Sequence, residues 1–364
     1  MITVLSSASA RPNFVKLAAV HSALSKHKDI RHVIVHTGQH YDPLLSDIFF
    51  TQLGIPQPDF NLGVKGGSDR EAIIAMTEHA LLPVLTEVKP DIVLVYGDVN
   101  GAVGAARAAK STGIRLGHVE AGLRSFDESM PEELNRIEID QLADELFVTE
   151  QSGLENLDVE GMKGNIHFVG NTMIDTLIRM MPLIDTTPLP ELGMDEVKPF
   201  AILTLHRPSN VDNREYLLNL VSFLGQVDKK MPIVFPMHPR FHGMITKPDP
   251  DRTTVPLLSI SRPIEPLGYL PFLKLMKSAA FILTDSGGIQ EEAVLLKKRC
   301  FTLRRNTERP STIESGSNVL IDPNVAADRE KVLAFTKNPI TPSITIPEKW
   351  DGKAGERIAR VLSV

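Results

Sequence analysis

The segment LTDSGGIQEEA (283–293) carries the most easily named chemistry in this chain. A strand-like run ends in a Ser-Gly-Gly turn, and a helical pattern follows it. Glycines let backbone N–H groups approach a phosphate closely, and the amino end of a helix carries partial positive charge. We therefore predict that Ser286, Gly287 and Gly288 bind an anion. The alternative is that Ser286 only caps the helix.

Charged side chains beside this turn and after the first strand-like run could also contact a nucleotide. Glu291 and Glu292, one turn into the helix, could accept hydrogen bonds from ribose hydroxyl groups. Arg11 and Lys16 follow the first strand-like run, where a parallel sheet binds ligands, and could hold a diphosphate. They could equally be solvated surface charges. The chain has neither GxxxxGK[ST] nor a GxGxxG after its first strand. It therefore lacks the usual sequence signatures of kinases and dehydrogenases.

Titratable groups collect where further strand-like runs end. They are Asp98, His118, Glu120, Glu132 and Glu133. Carboxylates that share a cleft raise one another's proton affinity, which suits them to move protons near neutral pH. The alternatives are that Asp98 caps a helix beginning at Val99, and that Glu133 forms an ordinary surface pair with Arg136.

Two histidines, His206 and His238, end strand-like runs in the second half of the chain, and Arg207 follows the first of them. Two histidines on separate strands, with no third ligand at a recognised spacing, do not indicate a metal site. Phosphate or proton handling fits these residues better.

The elements that must position these groups alternate between strand and helix, which is typical of parallel sheets covered by helices and predicts an α/β fold. Strands are predicted at 2–7, 32–37, 91–97, 115–120, 145–150, 200–206, 232–238, 279–285 and 300–304. A proline- and acid-rich connection, TTPLPELGMDEVKP, separates the two halves. We predict one domain over 1–170, a second over 171–347, and a carboxyl-terminal helix over 348–364 that packs back on the first domain.

Composition narrows the class of protein. With 364 residues, 42% hydrophobic and 23% charged, the chain is long enough for two folded cores. Its 39 basic and 45 acidic residues give a formal charge of −6, which argues against a nucleic-acid partner. The single cysteine, Cys300, and the lack of a basic residue in MITVLSSASA favour the cytoplasm. No apolar run reaches the 18 or so residues of a membrane span.

Taken together, the motifs resemble those of the UDP-N-acetylglucosamine 2-epimerase family over nearly the whole chain. The shared motifs are Arg11-Pro12 with Lys16, TGQH (37–40), GD (97–98), HVEAGLRS (118–125), PEELNR (131–136), GNTMIDT (170–176), His206-Arg207, DSGGIQEEA (285–293) and TERP (307–310). The chain departs from the family at Ser9, Ala10 and Asn13, where Gly, Thr and Glu are more familiar, and at 99–102, where threonines are common.

The resemblance implies a GT-B architecture: two Rossmann-like domains with parallel sheets and an active-site cleft between the domains. It implies interconversion of UDP-GlcNAc and UDP-ManNAc through loss of UDP, a glycal intermediate and re-addition, without a cofactor, supplying precursors of cell-surface polysaccharides. It also implies a homodimer.

The family's roles, carried across position by position, divide the residues into three groups. Catalysis falls on Asp98, Glu120, Glu132 and His206. Binding of the UDP-sugar falls on Arg11, Lys16, His238, Ser286, Gly287, Gly288, Glu292 and Arg309. Some bacterial members bind a second substrate molecule as an activator, which implies such a role for Gln39, His40 and Arg207; Asp42 and Pro208 depart from that pattern.

Three other functions use much of the same equipment. A hydrolysing epimerase would release free ManNAc and UDP. A GT-B glycosyltransferase would use similar phosphate contacts but would not need Asp98, Glu120 and Glu132 together. A nucleotide-sugar-binding regulator without turnover would bind substrate and form no product.

Overall fold

The computed structural model describes residues 1–38, 50–65, 67, 69–192, 199–207, 210, 214–237, 261–340 and 343–363. The chain divides into two compact units. Unit 1 comprises Met1–Met180 and Pro347–Val364, and unit 2 comprises Met181–Ile346. The chain therefore leaves unit 1 within the helix Thr172–Thr186, later than the predicted boundary after residue 170.

Unit 1 is built on a seven-stranded sheet whose strand pairs are all parallel, in the order β3-β2-β1-β4-β5-β6-β7. Its strands are β1 (Ile2–Ala8), β2 (Ile30–His36), β3 (Phe60–Asn61), β4 (Ile92–Tyr96), β5 (Arg115–Ala121), β6 (Glu145–Val148) and β7 (Asn165–Phe168). Every residue of β4 is buried. A continuous buried run of this kind is expected where helices cover both faces of a parallel sheet.

The helices of unit 1 follow the strands in sequence. They are α1 (Arg11–Leu24), α2 (Arg70–Val88), α3 (Asn100–Ser111), α4 (Pro131–Leu142), α5 (Gln151–Val159) and α6 (Thr172–Thr186). The alanine-rich α3 shares one hydrophobic core with α2 and with the β4 side chains Val93 and Val95. Small side chains let α3 approach α2 closely: a Cβ on Gly104 would lie 2.5 Å from the carbonyl oxygen of Ile74.

Unit 2 repeats the arrangement with a six-stranded parallel sheet in the order β10-β9-β8-β11-β12-β13. Its strands are β8 (Ala201–Thr204), β9 (Ile233–Pro236), β10 (Arg262–Ile264), β11 (Phe281–Thr284), β12 (Arg299–Thr302) and β13 (Asn318–Leu320). Its helices are α7 (Arg214–Asp228), α8 (Tyr269–Ser278), α9 (Gly287–Leu295), α10 (Pro310–Glu314) and α11 (Ala326–Phe335). One core joins α7 and α11 to the sheet through Leu220, Leu224 and Val332.

The last helix, α12 (Ala354–Leu362), belongs to unit 1 and packs against α1. The backbone N–H of Gly355 donates to Asp175 Oδ2 at 2.8 Å, and Trp350 Nε1 donates to the carbonyl of Thr149 at 3.1 Å. These bonds tie the carboxyl-terminal segment to α6 and to the end of β6.

Strand order reverses between β1 and β4 in unit 1 and between β8 and β11 in unit 2. Open parallel sheets bind ligands outside the carboxyl ends of the strands at such a reversal. The predicted α/β class with two parallel sheets is confirmed. The sheet orders place the expected ligand sites at the carboxyl ends of β1 and β4 in unit 1 and of β8 and β11 in unit 2. Among the helices of the described ranges, none combines the length and hydropathy that crossing a membrane requires.

Candidate active site

Lys16 and Glu120 form a buried ion pair at the carboxyl edge of the unit 1 sheet. Lys16 Nζ, from α1, lies 2.6 Å from Glu120 Oε1, at the end of β5, and both side chains are about 95% buried or more. Loss of one partner of a buried ion pair costs about 3–5 kcal/mol of stability, because the other charge remains buried. This contact excludes the interpretation of Lys16 as a solvated surface charge.

Glu120 occupies an irregular position in β5 that aims its side chain at this edge. Pairing with β6 runs through Val119 and then Ala121, so Glu120 is the extra residue of a bulge, and its φ is +83°. Such a φ is strained for a residue with a side chain, and strain of this kind concentrates at functional sites. Gly97 faces the pair: a Cβ there would lie 2.8 Å from Lys16 Nζ. A side chain there would displace the ammonium group, and the φ of +63° at Gly97 independently favours glycine.

A buried charge network supports the end of β5. His118 Nδ1 lies 2.6 Å from Asp140 Oδ1, and His118 Nε2 lies 3.0 Å from the carbonyl of Gly97. Asp140 Oδ2 accepts from the backbone N–H of Gly122 at 3.0 Å and from Arg124 at 2.7 Å. Burial alone would raise the pKa of the Asp140 carboxyl, but His118 and Arg124 lower it below its ordinary value. The network ties the turn after Glu120 to α4.

Asp98, at the end of β4, is bonded to a second buried pair. Arg136, in α4, bonds to Asp98 Oδ2 through Nη2 and to Glu133 Oε2 through Nη1. Glu133 and Arg136 are 0% and 2% exposed, so the interpretation of these two residues as a surface pair is wrong. The helix after Asp98 begins at Asn100 with Val99 as its N-cap, so Asp98 does not cap it. Its carboxylate instead faces the arginine of another helix.

The remaining unit 1 residues lie at the same edge of the sheet. Arg11 is the first residue of α1 and is exposed. Glu132 lies in the first turn of α4 and is partly exposed. Unit 1 thus places two predicted cations, Arg11 and Lys16, and three predicted carboxylates near the ends of β1, β4 and β5.

In unit 2, Asp285 organises the residues that follow β8. Its buried carboxylate lies 2.8 Å from His206 Nδ1 and accepts the backbone N–H of Arg207 at 2.9 Å. Asn210 Nδ2 donates to the same carboxylate at 3.2 Å. Burial alone would raise the pKa of the Asp285 carboxyl, but the hydrogen bond and charge of His206 lower it below its ordinary value. Because the carboxylate accepts, the hydrogen of the His206 ring is assigned to Nδ1.

The Ser-Gly-Gly turn precedes α9 as predicted. Ser286 is the N-cap residue, but its side chain makes no capping hydrogen bond, and the first turn of α9 contains no acidic residue. Gly287 allows close packing: a Cβ there would lie 2.4 Å from Arg309 Nη1. Arg309 is buried and bonds to Glu308, and its Nε lies 3.1 Å from Glu291 Oε1. The turn therefore rests on a buried guanidinium, and the capping interpretation of Ser286 is wrong.

Glu292 is buried within α9, and Tyr269 donates a hydrogen bond to its Oε1 at 3.1 Å. Burial, with the neighbouring Glu291 charge adding to it, raises the pKa of the Glu292 carboxyl to about 8. Burial therefore favours the neutral form of this carboxyl in the folded protein.

This raised pKa predicts a pH-dependent stability difference for Glu292→Gln. Between about pH 4.5 and 8 the unfolded chain releases a proton that the folded chain keeps, so stability falls as pH rises. The Glu292→Gln variant lacks this dependence of stability on pH. Relative to the wild type, its free energy of unfolding should therefore rise by up to about 1.4 kcal/mol per pH unit in that window. Urea unfolding at several pH values measures the difference. Glu265→Gln, at an exposed position of unit 2, should track the wild type; parallel curves for Glu292→Gln would contradict the prediction.

Three predicted residues, Gln39, His40 and His238, lie outside the described residues. Several supporting residues were absent from the predicted site: Asp140, Arg136, Asn135 and Asp285. Asp285 stands beside the Ser-Gly-Gly turn, and that position could have identified it. For Arg136 and Asp140 the signal was weaker, because helix spacing alone does not show which face is buried.

Comparison with known proteins gives a consistent result. The family profile described as UDP-N-acetylglucosamine 2-epimerase matches residues 22–363. The UDP-N-acetylglucosamine 2-epimerase of Methanococcus maripaludis is 37% identical, over 97% of this chain and 96% of its own. The UDP-2,3-diacetamido-2,3-dideoxy-D-glucuronate 2-epimerase of Pseudomonas aeruginosa is 36% identical, over 99% of each chain.

A solved structure extends the likeness to the whole fold. The crystal structure of Methanocaldococcus jannaschii UDP-GlcNAc 2-epimerase in complex with UDP-GlcNAc and UDP matches with a TM-score of 0.87 and 36% identity, over 100% of this chain and 99% of the other. The predicted GT-B architecture of two Rossmann-like domains is confirmed.

Proposed function

This chain belongs to the UDP-N-acetylglucosamine 2-epimerase family, and from this premise we propose that it interconverts UDP-GlcNAc and UDP-ManNAc without hydrolysing either. One observation carries the proposal for this chain itself. Two carboxylates, Asp98 and Glu120, end adjacent strands, and each is bonded to a buried cation. Paired carboxylates at one sheet edge suit the removal of a proton from one face of a carbon and its return to the other.

The first half of the proposed reaction is an elimination. One carboxylate accepts the proton from carbon 2 of the sugar while the bond between carbon 1 and the UDP oxygen breaks, and the bonding electrons leave with UDP. A double bond forms between carbons 1 and 2, giving a glycal. Positive character at carbon 1 during bond breaking makes the neighbouring proton easier to remove, which lowers the barrier of an otherwise slow step.

The second half reverses these steps on the opposite face. UDP adds back to carbon 1 through the same oxygen, and the other carboxylate delivers a proton to carbon 2. We assign Asp98 and Glu120 to the two faces without deciding which serves which, and Glu132 to orientation or acid assistance. Lys16 donates to Glu120, and its remaining ammonium hydrogens can donate to the diphosphate.

The residues of unit 2 receive the departing UDP in this proposal. Backbone N–H groups of Gly287 and Gly288 open α9 and donate to a phosphate. His206, oriented through Nδ1 by Asp285, exchanges a proton with the diphosphate through Nε2. Arg11 and His238 add contacts to the diphosphate, and Glu292 accepts from a ribose hydroxyl. Arg309 contributes to UDP binding indirectly, by supporting the Ser-Gly-Gly turn.

Proton NMR of the purified protein with UDP-GlcNAc in deuterated water tests this proposal. The expected result is UDP-ManNAc that carries deuterium at carbon 2, because the proton that returns comes from a solvent-exchanged carboxyl group. Free ManNAc with UDP would establish the hydrolysing reaction instead. Binding of UDP-GlcNAc without product or exchange would refute epimerisation of this sugar and favour a binding protein.

Sugar preference is tested in the same experiment by a second substrate. The Pseudomonas aeruginosa relative is named for a 2,3-diacetamido glucuronate, and its identity to this chain is similar to that of the UDP-GlcNAc epimerases. We propose UDP-GlcNAc as the preferred sugar, which predicts the higher kcat/KM for it when the two UDP-sugars are compared directly.

We also propose that the enzyme works as a homodimer in the cytoplasm, as the family resemblance and the single cysteine suggest. Light scattering of the purified protein should give twice the mass of the 40.1 kDa chain. A monomer at working concentrations would refute the dimer.

A further inference from the structure

Arg136 is a buried link between Asp98 and the loop that follows β5. Its guanidinium donates in two directions, to Asp98 Oδ2 and to Glu133 Oε2. The arginine side chain is 3% exposed, whereas that of Asp98 is 23% exposed. The carboxylate therefore faces outward from the sheet edge while the cation that holds it remains inside.

Glu133 anchors the other end of this link. Its carboxylate accepts the backbone N–H groups of Ser125 at 3.0 Å and Phe126 at 2.9 Å, and the Ser125 hydroxyl at 2.8 Å. Glu133 is 0% exposed, so its position is determined by these bonds and by Arg136. A carboxylate held in this way gives Arg136 a fixed partner on the side away from Asp98.

The backbone carbonyl of Asp98 is also held by a hydrogen bond from α4. Asn135, beside Arg136 in α4, donates to the Asp98 carbonyl at 2.7 Å and to Asn100 Oδ1 at 2.9 Å. Asn135 Oδ1 in turn accepts from Arg70 Nε at 2.7 Å. Two consecutive residues of α4 thus hold the main chain and the side chain of Asp98. Proton transfer requires a well-fixed carboxylate, and bonds from one helix to both parts of the residue restrict its position.

We propose that Arg136 is the positioning residue for Asp98: anchored by Glu133, it aims the Asp98 carboxylate at one face of carbon 2 of the substrate. The proposal rests on the epimerase function proposed above. Arginine suits the task because its planar guanidinium can donate to two carboxylates at a fixed angle, which the single ammonium of lysine cannot do. Arg136 touches no reacting atom in this scheme.

The inference predicts a kcat defect without a binding defect. Because Arg136→Met alone leaves Glu133 as an unpaired buried charge, the informative variant is Arg136→Met with Glu133→Gln. The glutamine keeps the shape, accepts the N–H groups of Ser125 and Phe126, and can donate to the Ser125 hydroxyl. We expect kcat to fall about 100-fold while KM and UDP affinity stay unchanged. Arg136→Lys should recover part of the loss.

Arg115→Met is the matched control. Arg115 also pairs with a buried glutamate of unit 1, Glu145, but it lies at the amino end of β5, on the opposite edge of the sheet. This variant should keep the wild-type kcat. Thermal unfolding of all variants checks that the fold is intact.

A second readout separates positioning from general loosening of the fold. In deuterated water, deuterium at carbon 2 of recovered substrate is compared with the amount of epimer formed, starting from UDP-GlcNAc and then from UDP-ManNAc. Because Asp98 serves one face only, the double variant should change this ratio in opposite senses for the two starting sugars.

An unchanged ratio for both starting sugars, or a wild-type kcat in the double variant, would overturn the positioning role. An inactive wild-type enzyme in the same assay would overturn the proposed function, and this inference with it. The wild-type reaction therefore distinguishes the two failures.

Discussion

Replacing Asp98 by asparagine, or Glu120 by glutamine, should lower kcat for epimerisation about 1,000-fold and leave the affinity for UDP unchanged. Each amide keeps the shape of the acid but cannot take up or return the proton of carbon 2. Neither residue belongs to the turn that we assign to the diphosphate, and the amide oxygen of the glutamine can still accept from Lys16, so the binding of UDP should persist. Steady-state kinetics and calorimetric titration with UDP measure the two quantities separately.

Asp91→Asn provides the control for the first variant. Asp91 precedes β4 at its amino end, is exposed, and accepts the backbone N–H of Thr3 at 2.7 Å. Asp91 and Asp98 flank the same strand, but Asp91 lies at the opposite edge of the sheet, so its amide variant should turn over normally. Wild-type rates in both Asp98→Asn and Glu120→Gln would refute the assignment of these carboxylates to proton transfer.

The interior of both sheets could be predicted from sequence, whereas their edges could not. The nine predicted strands correspond to β1, β2, β4, β5, β6, β8, β9, β11 and β12. The four that the sequence did not indicate are β3, β7, β10 and β13, which are the edge strands of the two sheets. Edge strands here are two to four residues long and partly exposed, so they lack the continuous apolar run that marks a central strand.

The candidate site was likewise predictable only where its residues follow a buried apolar run. Asp98 and Glu120 were predictable because they follow buried runs, and the carboxyl ends of parallel strands share one edge. Their partners were harder to predict. Lys16 was expected to contact the diphosphate and not Glu120, and Arg136 was expected only as a surface partner of Glu133, because the burial of a helix face depends on the tertiary packing. The bulge that turns Glu120 toward Lys16 also left no sign in the residue pattern, since no glycine marks its positive φ.

Asp285→Asn should produce the largest loss of activity among changes in unit 2, about 100-fold or more in kcat. The charged carboxylate accepts from the His206 ring, from the backbone N–H of Arg207 and from Asn210 at once. An asparagine turns one of those acceptor positions into a donor. The His206 ring then loses the charged acceptor that fixes its orientation, so Nε2 is no longer held toward the diphosphate with which it exchanges a proton.

Asp228→Asn is the matched change for this prediction. Asp228 also accepts a backbone N–H, that of Ile233 at 2.9 Å, and a bond from Arg262 at 3.2 Å, but it lies at the amino edge of the unit 2 sheet. Both variants remove one negative charge from unit 2, so a purely electrostatic or folding effect would appear in both. A kcat loss confined to Asp285→Asn, with both proteins folded, assigns the effect to His206 and Arg207. Equal rates for the two variants would rule out an orienting role for Asp285, because the histidine would then need no fixed orientation to assist the release of UDP.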